Sequence, residues 1–369
     1  MATMTRTTTP TLTRRALNRA LLARQHLLER TRMPAAAMIE HLVGMQAQNP
    51  LDPYFALAAR IDGFEPGELV DLLISRAAVR TGSIRTTLHL FTARDALAMS
   101  PLVQDVQRRV FRNTPFAAHV DGIALDELAA AGRRLLQERP RTTTELATAL
   151  GERWSDVDRS SLAYAVRYAL PVVQIPPRGL WGRTKASTWV GLEDWLGGPA
   201  ATSADLDAIV LRYLAAFGPA GSADARTWSW FTGLREVFER LRPRLVTFRD
   251  EAGRELFDLP EAPRPEEDTP APIRFLPEYD NLLLSHEDRS RVADVDFRDR
   301  LGWKGSVLVD GFLRGAWKIG KDRRDPTLTA EMFEPLGAAD RAKLEVEARQ
   351  LTTFAATGFG PLELRIAAG

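Results

Sequence analysis

Two carboxamides stand two residues apart in this chain, Gln46 and Gln48 of the triplet Gln46-Ala47-Gln48. At a helix end, beside the breaker Asn49-Pro50, side chains so spaced can point into one cleft. A glutamine oxygen can hold a water and its nitrogen can donate a hydrogen bond. The amide cannot take up a proton as a carboxylate does. Taken alone, the triplet is also what many helix ends carry. Other chemistry is harder to find. No GxxxxGK followed by Ser or Thr is present, and no GxGxxG, so ATP- and NAD-driven reactions are not expected. The five histidines, at 26, 41, 89, 119 and 286, form no HExxH and no tight cluster. No GxSxG elbow marks a serine nucleophile. Without a single cysteine, disulfides, thiolate metal sites and cysteine nucleophiles are excluded. Neither a metal nor a nucleotide cofactor is expected.

Charge adds a hint through its distribution. Residues 1–120 hold 15 arginines, no lysine and 9 carboxylates, a net +6 in a chain whose total is +1. Arginine offers a planar fork to phosphate and stacks on bases, so a nucleic-acid-facing N-terminal part fits. A chain with only five lysines would also write arginine wherever it needs a solvated cation. The first ten residues lack an apolar signal segment, and no apolar run is long enough to span a membrane. A cytoplasmic protein is expected.

The elements that must position these residues can be read in outline. Residues 11–30 have leucines at helical spacing, and a second helix opens at Pro34 and runs to about Met45. Residues 54–61 and 66–78 read as helices, SIRTTLHLFT as a strand, and Ala93 to about Phe111 as a helix. From Asp126, three helices follow, the second with a threonine cap ahead of Glu145. The strand VVQI and the run WGRTKASTWV come after them. Three helices and a two-stranded hairpin is the order of a winged helix. The same order recurs from Ala204 to the strands RLVTFRD and ELFDL. Residues 260–272, rich in proline and acid, read as a linker or exposed loop. Beyond them lie β-like runs, a charged helix and a last strand. The fold class is α+β, mainly helical, with tandem winged-helix modules and a C-terminal antiparallel β-rich unit. Four segments are expected: 1–120, 121–200, 201–260 and 261–369.

The ensemble resembles the winged-helix DNA glycosylases of the AlkZ and YcaQ type, the family that includes an azinomycin self-resistance enzyme. The resemblance covers nearly the whole chain. It rests on LLARQHLLER, HLVGMQAQNP, RTTLHLFTARD, FGPAGSADARTWSWFTGL, LPEYDNLLLSHEDRSRV and VLVDGFLRGAWKI. Gln46 and Gln48 match the family's Gln-x-Gln catalytic motif. FTGL departs from the serine-glycine pair expected after the tryptophan. The family implies winged helices and a β-rich part around a DNA channel. Arg85 and His89 would then be candidates for the channel wall, or else packed residues of the strand. Lys318, Lys321, Arg323 and Arg324 would flank a turn that could reach a groove.

What the resemblance implies chemically follows from the amides. Two glutamines should be poor at breaking an ordinary glycosidic bond. A purine alkylated at N7 or N3 is already cationic and leaves as a neutral base. Double-stranded DNA carrying N7-alkylguanine, N3-alkyladenine or bulky natural-product adducts and crosslinks is therefore the implied substrate. With no lysine in the first 184 residues, hydrolysis without a Schiff base is expected. A monomer is favoured. The alternative is a winged-helix transcription regulator without enzymatic activity, although neither candidate recognition helix, Arg159–Ala169 nor 233–242, is strongly basic; a third reading is an inactive binder of DNA lesions.

Overall fold

A computed structural model describes residues 9–183, 185–294, 297–320 and 326–368. Helix outweighs strand, 47% against 18%, as the mainly helical α+β reading expects. Packing gathers the chain into two units, each drawn from separate stretches. One comprises Arg32–Asp205 with Ser229–Phe231. The other comprises Met1–Thr31, Leu206–Trp228 and Thr232–Gly369.

The first unit holds a six-stranded sheet. Its strands run in the order Met45–Gln46, Leu88–Thr92, Ala78–Gly82, Val172–Gln174, Thr188–Gly191 and Arg141–Thr142. Every neighbouring pair is antiparallel. Three helices, Leu125–Glu138, Thr143–Arg153 and Arg159–Ala169, bury Leu128, Leu136, Leu146, Leu150, Leu162 and Val166 together, the apolar stripe of each turned inward. The threonine cap is present. The Thr142 hydroxyl accepts from the Glu145 amide at 3.2 Å, and Glu145 accepts from the Thr142 amide at 2.7 Å. The Thr142 amide, the Thr142 hydroxyl and Arg139 hold the Glu145 carboxyl down to about 2.

Two expectations in this unit need correction. The helix expected over 66–78 is Pro66–Ile74, and Ala78–Gly82 is a strand. Arg76, with φ +65, turns the chain out of the helix between them. The strand expected from Ser83 starts at Leu88, because Arg85 and Thr86 take left-handed φ values of +55 and +57 inside a short 3-10 turn.

In the second unit the N-terminal helix Arg14–Arg24 buries Leu17, Leu21 and Leu22 together with Arg19 and Arg24. Arg24 forks onto Asp258 with bonds of 2.6 and 2.7 Å, and both side chains are fully buried. Thr11–Leu12 runs parallel to Val246–Asp250, which pairs antiparallel with Glu255–Asp258. Residues 260–272 do not behave as a free linker. The carbonyls of Pro263, Glu267 and Thr269 accept from Arg24, Arg15 and Arg19 at 3.2, 2.7 and 2.6 Å, which ties the segment to the N-terminal helix. A five-stranded sheet follows, in the order Arg274–Leu276, Gly305–Val309, Phe312–Ile319, Thr327–Met332 and Glu363–Ala368. It is not wholly antiparallel: the last pair is parallel. The 22-residue helix Ala338–Phe359, about 33 Å long, carries the chain back to the end where the preceding strand began.

Candidate active site

The Gln-x-Gln triplet sits at a sheet edge. The helix expected to run to Met45 is Ala35–His41. Val43 and Gly44, with φ +51 and +85, end it. Gly44 is required twice over at this bend, since a β-carbon there would also drive into the Phe91 ring. Met45 and Gln46 then pair with Leu90 and His89, and the Ala47 amide donates to the Leu88 carbonyl at 2.7 Å. The strand ends at Gln46, and the chain bends at Gln48.

The two amides have different surroundings. Gln46 is 8% exposed, and its oxygen accepts from Arg85 Nη2 at 2.8 Å. Gln48 is exposed, and its oxygen accepts from the Leu88 amide at 3.3 Å. Gln48 lines a cleft of about 240 Å³ together with Gln107, Tyr164, Arg167, Tyr168 and Trp189. Gln46 is not among the lining residues. The two glutamines are therefore an exposed member at the cleft and a buried member beside it.

Behind Gln46 stands a small polar relay. Arg85 Nη2 lies 3.4 Å from His89 Nε2, and His89 Nδ1 lies 3.2 Å from the Thr87 carbonyl. With a cation facing Nε2, the neutral ring keeps its proton on Nδ1 and donates to Thr87. Burial, then the charge of Arg85, pushes His89 well below the usual histidine range. Of the two expectations for His89, channel wall or packed strand residue, the structure has the second: the ring is fully buried behind Arg85.

Sequence reasoning missed the residue that braces the triplet from inside. Arg80, buried in the strand beside Leu88–Thr92, donates to the Ala47 carbonyl at 2.8 Å and to Gln174. Desolvation, together with nearby Arg178, lowers Arg80 to about 10. An arginine inside the apolar run AAVRTG was the available signal, since a buried cation there must find acceptors. Asp52, considered from sequence as a hidden acid, is buried and close enough to Arg80 to favour its charge. Asp280 belongs to the other unit, where it caps Asn281–Leu284 by accepting from the Leu282 amide at 3.0 Å.

Of the expected basic hairpin, Lys318 is exposed on Phe312–Ile319, which pairs antiparallel with Thr327–Met332. Lys321, Arg323 and Arg324 lie outside the described residues. Among the described residues no group of three or more histidine, aspartate or glutamate side chains could hold a metal ion. No described helix is long and apolar enough to cross a membrane.

The family model for AlkZ-like DNA glycosylases matches residues 39–354, which include the triplet, its sheet and the cleft. The chain belongs to the AlkZ-like DNA glycosylase family. The fold is similar to that of the Streptomyces sahachiroi DNA glycosylase AlkZ, with a TM-score of 0.76 at 21% identity, over 97% of this chain and 100% of that one. No curated protein matches the chain in sequence. As a DNA glycosylase, the protein acts on DNA, and the alternative of a regulator without activity gives way.

Proposed function

We propose that this glycosylase hydrolyses the N-glycosidic bond of cationic purines in duplex DNA. N7-alkylguanine and N3-alkyladenine are its basic substrates, and bulky natural-product adducts and crosslinks extend the class. The observation that carries this reading is the pairing of two amides with an environment poor in acids. Among the described residues no carboxylate lines the cleft beside Gln48, and the nearby histidine is held neutral. A neutral base would need a proton as it departs. A cationic purine needs none: the electrons of the C1′–N9 bond pass to the base, which leaves uncharged. A water oxygen forms the new bond to C1′ and releases its proton to solvent.

Gln48, at the cleft, orients that water and faces the developing sugar cation. Gln46 contributes from the buried side, its oxygen fixed by Arg85. The absence of lysine before residue 185 supports direct hydrolysis over a Schiff base. Lys318, Lys321, Arg323 and Arg324 are proposed to grip phosphates, and Arg85 contributes charge at the site. The order of three helices, short strand and paired strands over 125–191 supports reading that stretch as a winged helix, with 206–258 a second. We read the enzyme as a cytoplasmic monomer that needs no cofactor.

The test is single-turnover excision followed by alkaline cleavage at abasic sites. One duplex carries N7-alkylguanine, and matched duplexes carry uracil, 8-oxoguanine or ethenoadenine. The cationic base should be released at least about 100-fold faster, the scale of one missing transition-state contact. Equal rates would mean that an acid serves the site, and the two-amide reading would fall.

A further inference from the structure

The cleft beside Gln48 contains a cation that nothing in the proposed hydrolysis uses. Arg167, on the helix Arg159–Ala169, lies 4.1 Å above the Trp189 ring and 5.2 Å from that of Tyr164. Among the described residues no carboxylate pairs with it, and its Nε meets no hydrogen-bond acceptor. Two other buried arginines each have a carboxylate: Arg24 pairs with Asp258, and Arg19 with Asp310. A half-buried guanidinium, held between aromatic rings and lining a cleft without acids, is a preorganised anion receptor.

A second donor points the same way. Gln107 is buried, and its oxygen accepts from Gln104 Nε2 at 2.7 Å. That bond fixes the amide with its nitrogen as the remaining end. Gly82 leaves room for this nitrogen, since a β-carbon there would stand 2.8 Å from it. The cleft therefore presents donors from Gln107, Arg167 and Gln48 and, among the described residues, no competing carboxylate.

The aromatic residues do not make this a base-stacking pocket. Tyr164 stacks on Phe116, with centroids 4.2 Å apart and planes at 5°, and Arg167 sits over its ring. Trp189 is 2% exposed and lies beneath Arg167. Tyr168 packs against Phe111 at 5.5 Å. Their rings are occupied in fixing the cation. A cationic base would also be repelled by it.

We propose that this cleft is a phosphodiester subsite, in which Arg167 and the Gln107 amide take a DNA backbone phosphate next to the target nucleotide. The proposal rests on the reading that Gln48 faces that nucleotide. Its effect would be register: a phosphate anchored here fixes the distance from the backbone to Gln48, so the reacting sugar arrives in one position.

Binding to duplex DNA with a single tetrahydrofuran abasic-site analogue tests this without reference to which base is excised. Methylphosphonates replace, one at a time, the phosphates within two nucleotides of the analogue. For the native enzyme, one such neutralisation should weaken binding about tenfold, and R167Q should lose its sensitivity to that same position. R167Q should also lower the salt slope of log affinity by about 0.9, the value for one phosphate, while R167K preserves it. Gln107→Leu gives a second probe should R167Q melt early: it should weaken binding and blunt the same methylphosphonate effect, with the salt slope unchanged. The proposal is overturned if no methylphosphonate near the analogue matters, or if R167Q and Gln107→Leu respond to each as the native enzyme does. It is also overturned if deleting a neighbouring base, rather than neutralising a phosphate, produces the loss that depends on Arg167. If Gln48→Ala excised normally while the Arg167 effects persisted, the phosphate contact would stand and the placement of the nucleotide at Gln48 would fall.

Discussion

Gln46 and Gln48 share a residue type and differ in what holds them, yet the proposed chemistry needs both amides. Gln48 meets solvent, and Gln46 meets Arg85. We expect Gln48→Ala and Gln46→Ala each to slow single-turnover excision by about 100-fold or more, with DNA affinity within about twofold of the native value. Arg85→Ala should cost less, about tenfold, because it loosens Gln46 without deleting it, and Arg85→Lys should recover part of the rate. Native rates in the two alanine variants would remove the catalytic assignment. A second expectation concerns acid. His89 and His286 are fully buried, and burial, then nearby arginines, pushes both well below the usual range. Unfolding would let each bind a proton near the ordinary value of about 6.5. The unfolded state then holds more protons than the native one, so their contribution is complete above about pH 6.5 and is lost as pH falls from there toward the folded values. Melting temperatures between pH 7 and pH 5 should fall accordingly, and His89→Gln should flatten that slope. An unchanged slope would mean that His89 does not titrate on unfolding.

At the scale of elements, the triplet depends on a bend that its own residues do not form. Gly44 combines a left-handed φ with contact against the Phe91 ring. Gly44→Ala should cost about 2–4 kcal/mol, from strain of about 1–3 kcal/mol plus the clash, and should lower excision by displacing Gln46. Adding Phe91→Leu should return part of the stability if the ring is half of the problem. Purely additive losses would show that it is not. The same region shows why some elements were legible in the sequence and others were not. The Thr142–Glu145 cap and the helices around it announced themselves because capping and helical periodicity are local. Met45–Gln46 is a strand of two residues, too short to show a period, and it exists only because Leu88–Thr92 lies beside it. Ala78–Gly82 goes unread: the helix expected over 66–78 takes its first residue, and VRTG is too short a run to show a strand period. The left-handed turns at Val43, Arg76 and Arg85 lie on residues that do not ordinarily signal them. The glutamines themselves were visible by type. Arg80 and Arg167 were not, because their roles depend on neighbours up to about a hundred residues away.

For the molecule as a whole, the discontinuous units mean that stability cannot be apportioned along the chain. The N-terminal helix belongs with residues that follow Leu206, and a charge pair helps hold it there. Arg24 and Asp258 are fully buried, 234 residues apart, and joined by two bonds. Arg24 also donates to the Leu214 and Pro263 carbonyls, and Asp258 also accepts from Arg264. Such a pair need not stabilise the fold relative to apolar residues of the same size, since desolvating both ions offsets most of their attraction. Breaking it from one side is different, because the remaining ion is left buried without its partner. Asp258→Ala should therefore cost about 3–5 kcal/mol, whereas Arg24→Met with Asp258→Leu should cost less than the single change. Denaturant unfolding of the three proteins decides this, with excision measured on the folded fraction expected to stay near native in all of them. If the double variant were as unstable as Asp258→Ala, the bonds to Leu214, Pro263 and Arg264 would outweigh the pair itself. The clamp would then be a network anchored on carbonyls rather than a salt bridge.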